Sequence, residues 1–336
     1  MTLITIAQAL GVSRTTVSNA YNRPDQISPA TRERVLAMAK RLGYAGPDPR
    51  AATLRRGVVG AIGLIEKSLR AALTDPASLL MLSGVAEACD DAGVALVLIP
   101  RRVEGDDAHD IVRTAVVDGF VAHCDALDDE RRTIVEERRL PMVVLDGRAG
   151  PDEPVVGIEE ERGAHDVAAH VLGLGHRRPA VVRFQPLTTG TPNTVAERRL
   201  AGYLEACREH GVDAADVPVV DGFAYDREAM TAIAIDLLRR PDRPTAVLCM
   251  SDEMAVGVIA AARALGLGVP EDVSVTGFDD TTTAATADPP LTTVRQPHAA
   301  KGAAAVRMLL AHGVGPRELW FPVELVVRAS TAPPPT

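Results

Sequence analysis

Charge divides this chain into two unequal parts. The first 57 residues hold nine Arg and Lys against three Asp and Glu, a net of +6, whereas the other 279 hold 27 against 42, a net of −15. The overall −9 conceals the division. A small basic head on a large acidic body suits one module that meets a polyanion and a second that does something else. At 336 residues the chain is also too long for one compact core, and the body has room for two lobes.

Within the head, two short helical patterns are joined by Leu10-Gly11-Val12-Ser13, the punctuation of a helix-turn-helix. Thr2 can cap the first helix, Ile6, Ala7 and Leu10 face inward, and Gly11 supplies the left-handed conformation that ends it. Ser13 caps the second. There Val17, with Ala20 or Tyr21, points to the core and leaves Arg14, Thr15, Ser18, Asn19 and Asn22 along the opposite side. Short hydrogen-bonding side chains plus one Arg are the chemistry that reaches base edges in a major groove. A third helix opens at Ser28-Pro29, ends at Gly43 and buries Val35, Met38, Ala39 and Leu42. By itself this pattern also describes an ordinary three-helix packing domain. The next stretch, 47–57, has a cap at Asp48, Pro49 in the first turn and a stop at Gly57. A helix that short is marginal alone, so its three arginines and Leu54 point to DNA phosphates and a groove as the ordering partner. The alternative is a charged linker.

From Val58 onward, aliphatic runs alternate with helical segments: Val58 to Ile65, Val94 to Ile99, Gly119 to Val121 and Pro141 to Leu145, then Ala180 to Phe184, Val217 to Val220, Ala246 to Cys249 and Val273 to Gly277. Alternation of this kind predicts parallel sheets with helices on both faces, and two series predict two α/β lobes. Ligands of open α/β sheets bind beyond the carboxyl ends of the strands, where two lobes make a cleft. Asp146 follows the fourth run, Ser251 and Asp252 follow Val247-Leu-Cys-Met250, and Asp279 follows Val275-Thr-Gly-Phe278. Carboxylates suit paired hydroxyls of a sugar or the edge of a base, Arg199 adds a donor fork, Tyr225 an aromatic plate and Gln296 a donor and acceptor near the return between lobes. Each has a plainer alternative: Asp252 as a helix cap, Asp279 or Asp280 as a turn residue.

Other classes find little support. Cys89, Cys124, Cys207 and Cys249 lie far apart without a C-x-x-C pair and read as reduced thiols. His165, His170 and His176 are spaced by five and six, not as i, i+4 ligands, so no metal is expected, and His176-Arg177-Arg178 reads as a corner whose positive side chains complement a helix end. No dinucleotide fingerprint, G-x-S-x-G or Walker A pattern is present, and no cofactor is expected. No run approaches 18 apolar residues, and the apolar start lacks a basic n-region, so a cytoplasmic protein without a membrane partner is expected.

In combination these motifs resemble a known family. Thr5-Ile-Ala-Gln-Ala-Leu-Gly-Val-Ser-Arg-Thr-Thr-Val-Ser-Asn19, Ile27-Ser-Pro-Ala-Thr-Arg-Glu-Arg-Val35, Leu42-Gly-Tyr44 and Thr53-Leu54-Arg55 are similar to the amino-terminal signature of the LacI/GalR transcriptional regulators. The likeness continues in Leu174-Gly-His-Arg-Arg178, Arg199-Leu-Ala-Gly-Tyr203, Ser251-Asp-Glu-Met-Ala-Val-Gly257 and Val275-Thr-Gly-Phe-Asp-Asp280. It implies a helix-turn-helix head over 1–46, a hinge helix over 47–57 and an effector-binding, dimerising body over 58–336. The body would be two doubly wound parallel-sheet lobes of the periplasmic-binding-protein type, the first about 58–158 plus 293–318, the second about 159–292 plus 319–330.

The resemblance further implies base reading by Arg14, Thr15 and Asn19, phosphate contacts nearer Thr16, Ser18 and Asn22, and Leu54 wedged into the minor groove. Ala52 stands where the hinge motif often has Arg. Asn19 stands where relatives carry Arg or Asn, which select guanine or adenine, so half-site preference does not carry over. Effector contacts are implied at Asp146, Arg199, Tyr225, Ser251, Asp252, Asp279 and Gln296. The expected function is a homodimeric regulator, a repressor in the first instance, on a pseudopalindromic double-stranded operator, tuned by a small molecule such as a sugar. The rivals are a sugar- or nucleoside-handling enzyme, which lacks a nucleophile-and-base arrangement here, and an exported solute-binding protein, which the basic head opposes.

Overall fold

The computed structural model describes residues 2–46, 58–100, 110–185 and 193–335. The stretch read as a hinge helix, with Leu54, lies outside the described residues. The chain divides between Val59 and Gly60 into two compact units.

The first unit is the expected trio of helices, Leu3–Leu10, Arg14–Asn22 and Pro29–Arg41. Each begins on a hydroxyl cap: Thr2, Ser13 and Ser28 accept the amides of Thr5, Thr16 and Thr31. Gly11, at φ 64, ends the first helix in the left-handed conformation that a Cβ disfavours. Ile6, Ala7, Val17, Ala20, Val35 and Ala39 form the core. Met38, Leu42 and Tyr21 are half-buried at its edge, and Arg32 Nε donates to Ala20 O at 3.2 Å, tying the third helix to the second.

The second unit contains twelve strands among the described residues: β1 (Ala61–Glu66), β2 (Ala95–Pro100), β3 (Phe120–His123), β4 (Met142–Leu145), β5 (Val155–Ile158), β6 (Pro179–Phe184), β7 (Val219–Gly222), β8 (Ala246–Cys249), β9 (Ser274–Thr276), β10 (Thr293–Arg295), β11 (Glu318–Phe321) and β12 (Glu324–Val326). They form a six-stranded sheet in the order β11-β5-β4-β3-β1-β2, a four-stranded sheet in the order β7-β6-β8-β9, and an antiparallel ribbon of β10 with β12. Every pairing within the two larger sheets is parallel. All six residues of β1 are buried, as a strand covered on both faces requires, whereas the edge strand β2 exposes alternate residues.

Two aliphatic cores result, one under each sheet. The helix Pro76–Ala92 and the returning helix His298–Leu310 pack on the first, and Glu160–Gly173 with Thr194–Glu209 on the second. The return into the first lobe runs further than the sequence suggested. All of Glu318–Phe321 pairs with Val155–Ile158, so that lobe closes at 321 rather than 318. Trp320 lies over Gly157, where a Cβ would come within 2.6 Å of the indole, so the register needs that glycine.

Small residues let the returning helix settle into the first lobe. A Cβ on Gly84 would meet Ala299 O at 1.9 Å, and one on Gly302 would meet Met81 O at 2.4 Å, so the two helices approach backbone to backbone. Neither obstacle is a side chain that can swing away. Gly302→Ala should therefore destabilise the body by roughly 1–3 kcal/mol as the helices are forced apart. Urea unfolding checks this, and an unchanged midpoint would contradict the packing.

Candidate functional site

Two sets of residues were singled out by sequence, one in each unit. In the head, Arg14 and Thr15 are exposed at the start of the helix Arg14–Asn22, with Ser18, Asn19 and Asn22 half-buried further along it. Thr16 belongs to the cap, its hydroxyl 2.9 Å from Ser13 Oγ. Asn22 Nδ2 donates to Ser18 O at 3.0 Å, and Asn19 Nδ2 donates to Gln26 Oε1 at 3.3 Å. Gln26 went unnoticed in the sequence because it sits in a 3₁₀ turn, Pro24–Gln26, with no periodicity of its own. It fixes the Asn19 amide while leaving that amide's second proton for an acceptor.

In the body, a cavity of about 680 Å³ lies beyond the carboxyl ends of the strands, and Asp146, Arg199, Tyr225, Ser251, Asp279 and Gln296 all line it. The strands end there in left-handed residues: Cys124, Asp125, Asp146, Asp279 and Asp280 have φ of 48, 53, 52, 113 and 52°. Asp tolerates this conformation better than most L-residues, which explains why the chain turns on aspartates where it meets the cleft.

Asp252 is the one effector candidate that does not line the cavity. It is buried, but its carboxylate turns away from the cavity to accept Thr281 N at 2.8 Å, Thr281 Oγ1 at 3.1 Å and Thr293 Oγ1 at 2.6 Å. It braces the turn that presents Asp279. Ser251, not Asp252, caps the helix Asp252–Ala264 by accepting Met254 N. Tyr225 stands at the mouth, 61% exposed.

The buried polar groups form one series running from lobe to lobe. Glu66, at the end of β1, lies 3.0 Å from His123 Nδ1, and His123 Nε2 lies 3.8 Å from Asp146 Oδ2. Lys301, from the returning helix, pairs with Asp146 and donates to Gln296 Oε1 at 2.5 Å. Gln296 Nε2 donates to Asp279 Oδ1 at 2.6 Å, and that carboxylate lies 3.6 Å from Arg199 Nη1. Arg199 Nε donates to Glu160 Oε2 at 2.6 Å, and its guanidinium stacks 3.5 Å from the centre of the Phe278 ring.

Charge balance explains how so many ions stay buried. Burial works against the charge on Arg199, but Glu160 and Asp279 outweigh it and raise its pKa. Burial likewise opposes ionisation of Asp146, yet Lys301 and His123 hold its pKa below the usual carboxylate value. Asp279 is pushed well up, chiefly by burial. Asp146 Oδ1 is buried and meets no hydrogen-bond donor among the described residues.

Sequence reasoning missed Glu66, His123, Glu160, His298 and Lys301. The first two close strands β1 and β3 and could have been found by the strand-end rule that found Asp146. Glu160 and the two residues of the helix His298–Leu310 carry no local signal. His123, Cys124 and Asp146 also bring three metal-ligating atom types within 4.8 Å of one another. The ammonium of Lys301 on the same carboxylate already neutralises it there.

The histidines doubted as metal ligands are structural. His176 is fully buried between Thr245 Oγ1 at 2.9 Å, Ser274 Oγ at 3.1 Å and Ala332 O at 2.8 Å, so it clamps the C-terminal segment and is no cation at a helix end. Burial lowers its pKa. Arg177 alone takes the helix-end role, donating to Leu172 O at 2.9 Å. His165 meets Glu209 at 2.8 Å and His170 meets Thr331 at 3.0 Å. No helix among the described residues is long and apolar enough to cross a membrane.

Comparison with known proteins bears on both units. Residues 2–46 match the model for bacterial regulatory proteins of the lacI family, and residues 168–331 match the periplasmic binding protein-like domain. An HTH-type transcriptional regulator of Mycobacterium tuberculosis is 39% identical, covering 99% of this chain and 97% of its own. The HTH-type transcriptional regulator IpsA of Corynebacterium glutamicum is 36% identical, covering 92% and 90%. Among solved structures, the lac repressor dimer bound to operator and the anti-inducer ONPF superposes with a TM-score of 0.80 at 28% identity over 99% of both chains. The transcriptional regulator CelR–cellobiose complex gives 0.71 at 29% identity over 98% of this chain and 99% of that one.

His298 supplies a pH-dependent test of the cleft. Burial, then Lys301, pushes its pKa down to about 3, and its Nε2 lies 3.1 Å from Asp279 O as a neutral donor would. The unfolded chain takes up that proton below roughly 6.5 and the folded protein does not. The stabilising contribution is therefore complete above that pH and is lost as pH falls toward 3. Between pH 6.5 and 5 the wild type should lose up to roughly 1 kcal/mol per pH unit that His298→Gln does not lose. Parallel urea titrations check this; equal slopes would show the imidazole to be charged in the fold.

Proposed function

The chain belongs to the lacI family of bacterial regulatory proteins, and from that premise we propose that it binds a pseudopalindromic operator as a homodimer whose affinity is set by a sugar held between the lobes of its body. A DNA-binding regulator modulated by an effector is what the family, the paired units and the fold together give. The observation that carries the finer reading is the cavity itself. It takes walls from both lobes, brings six separated sequence positions together, and presents carboxylates that accept more than one hydroxyl each. The orphaned Asp146 Oδ1 calls for a hydroxyl or amine donor. CelR, a structural neighbour, was solved with cellobiose.

In this reading Arg14, Thr15 and Asn19 contact base edges, and Thr16, Ser18 and Asn22 sit nearer phosphate. Leu54, from the stretch between the units, enters the minor groove at the operator centre. An apolar strip on the first lobe supports a second copy as partner. Leu73, Leu79 and Leu80, on the two helices packed beside the edge strand β2, are 51, 42 and 41% exposed, and Val97 of β2 is 38% exposed. Two copies related by a two-fold axis would carry two reading helices, matching two-fold symmetry in protein and site. Effector binding then changes operator affinity to the extent that the sugar prefers one lobe arrangement.

Selecting duplexes from a randomised pool, then titrating the selected duplex by fluorescence anisotropy against a sugar panel, tests the whole reading. Arg14→Ala should weaken binding to the selected duplex by about 10- to 100-fold, with far less effect on random DNA. Equal losses on both would make Arg14 a phosphate contact. Arg199→Ala should keep operator binding while abolishing the sugar response; a retained response would remove that residue from the effector site.

A further inference from the structure

A contact between the lobes lies outside the effector-lining set and ties the helix bearing Arg199 to the opposite sheet. Asp125 follows β3 of the six-stranded sheet by two residues, is buried, and has φ 53. Its carboxylate accepts Thr194 N at 2.8 Å and Thr194 Oγ1 at 3.2 Å, and also Arg148 N at 2.7 Å. Thr194 opens the helix Thr194–Glu209, which packs on β6 and on the helix Glu160–Gly173 of the other lobe.

The first amides of a helix have no partner within it. Asn193 satisfies one from the same lobe by accepting Ala196 N at 3.2 Å. The amide of Thr194 is satisfied from across the cleft, by a carboxylate placed where the helix dipole favours negative charge. Beside it, Arg198 stacks 5.0 Å from the centre of the Trp320 ring, and Trp320 belongs to β11 of the first lobe. The seam is thus closed by a charged cap and a cation–π contact, both made to one turn of one helix.

We propose that Asp125 and Thr194 are positioning residues: an interlobe helix cap that sets the balance between lobe arrangements and so the response of operator binding to effector. The helix Thr194–Glu209 carries Arg199 into the cleft, so fixing its first turn against the loop after β3 fixes Arg199 relative to Asp146, just beyond the neighbouring strand β4. When the lobes turn, the cap opens and both partners return to water. The operator part of this proposal rests on the regulatory reading above; the cap does not.

Thr194→Pro separates the cap from the helix. Proline is accepted at the first helical position, removes the N–H and the hydroxyl together, and follows Asn193 at φ −121 and ψ 85, outside the helical region. Asp125→Gly removes the other partner while keeping the left-handed backbone, and Thr194→Ser retains both donors as the rescue. The chain has one tryptophan, so the intrinsic emission of the full-length protein reports this seam.

With helix content unchanged by circular dichroism, acrylamide quenching of Trp320 should rise about twofold in Thr194→Pro and in Asp125→Gly and stay at the wild-type level in Thr194→Ser. Wild-type quenching in both disrupted proteins would overturn the cap; if the proline variant does not fold, Asp125→Gly alone decides. On a duplex the wild type selects, both disrupted variants should shift affinity about fivefold or more. Raised quenching with unchanged operator affinity would overturn the regulatory role, whereas a wild type that selects no duplex at all would instead refute the regulatory reading.

Discussion

The buried ionic series from Glu66 to Glu160 is the constraint on which the cleft depends. Carboxylates, ammonium and guanidinium groups removed from water are costly unless each meets an opposite charge. Here Asp146 meets Lys301 and Glu160 meets Arg199, while Asp279, whose pKa burial raises, accepts from Gln296 and lies beside Arg199. Removing any one leaves its neighbour uncompensated, so the groups act as a set. Because the first lobe supplies Asp146, the second supplies Arg199 and Asp279, and the return crossing supplies Gln296 and Lys301, the set also registers the position of one lobe against the other. In the proposed reading, a ligand that supplies hydroxyls to these carboxylates exchanges hydrogen bonds with the series and shifts the balance between lobe arrangements.

This arrangement follows from the way parallel sheets end. The inner strands, such as β1, β3 and β8, are mostly apolar runs buried on both faces, and most of the residues free to be polar lie at or just beyond the carboxyl end. Several turn through left-handed conformations there, which brings Asp146 and Asp279 out of the sheets and into the cavity. The fold therefore concentrates buried charge where two lobes face each other. The head obeys a simpler rule, with three hydroxyl caps and six buried aliphatic residues holding a helix whose Arg14 and Thr15 stay in water.

Much of this was legible in the sequence because it is local. Caps at Thr2, Ser13 and Ser28, the glycine at 11, and the aliphatic runs with Asp146 and Asp279 after them are written in consecutive residues. What could not be read is what pairs over long separations. Val155–Ile158, with Gly157 inside its run, does not stand out as a strand until Glu318–Phe321 pairs with it. Asp252 has the same strand-end position as its neighbours, yet Thr281 and Thr293 draw its carboxylate inward. Lys301 looks like any exposed helix lysine until the returning helix brings it to Asp146. His176 looks like a basic corner until Thr245, Ser274 and Ala332 close around it.

In the proposed reading the basic head and the acidic body share one equilibrium, so that what fills the cleft changes what the head holds. Thermodynamic linkage makes that claim quantitative, because two ligands of one protein must alter each other's affinity by the same factor. The direct measurement is a pair of titrations on the wild type: operator affinity with and without saturating sugar, and calorimetric sugar affinity with and without saturating operator. The account predicts equal factors, each well above one. A sugar that binds equally tightly with and without operator, while operator affinity also stays constant, would contradict it.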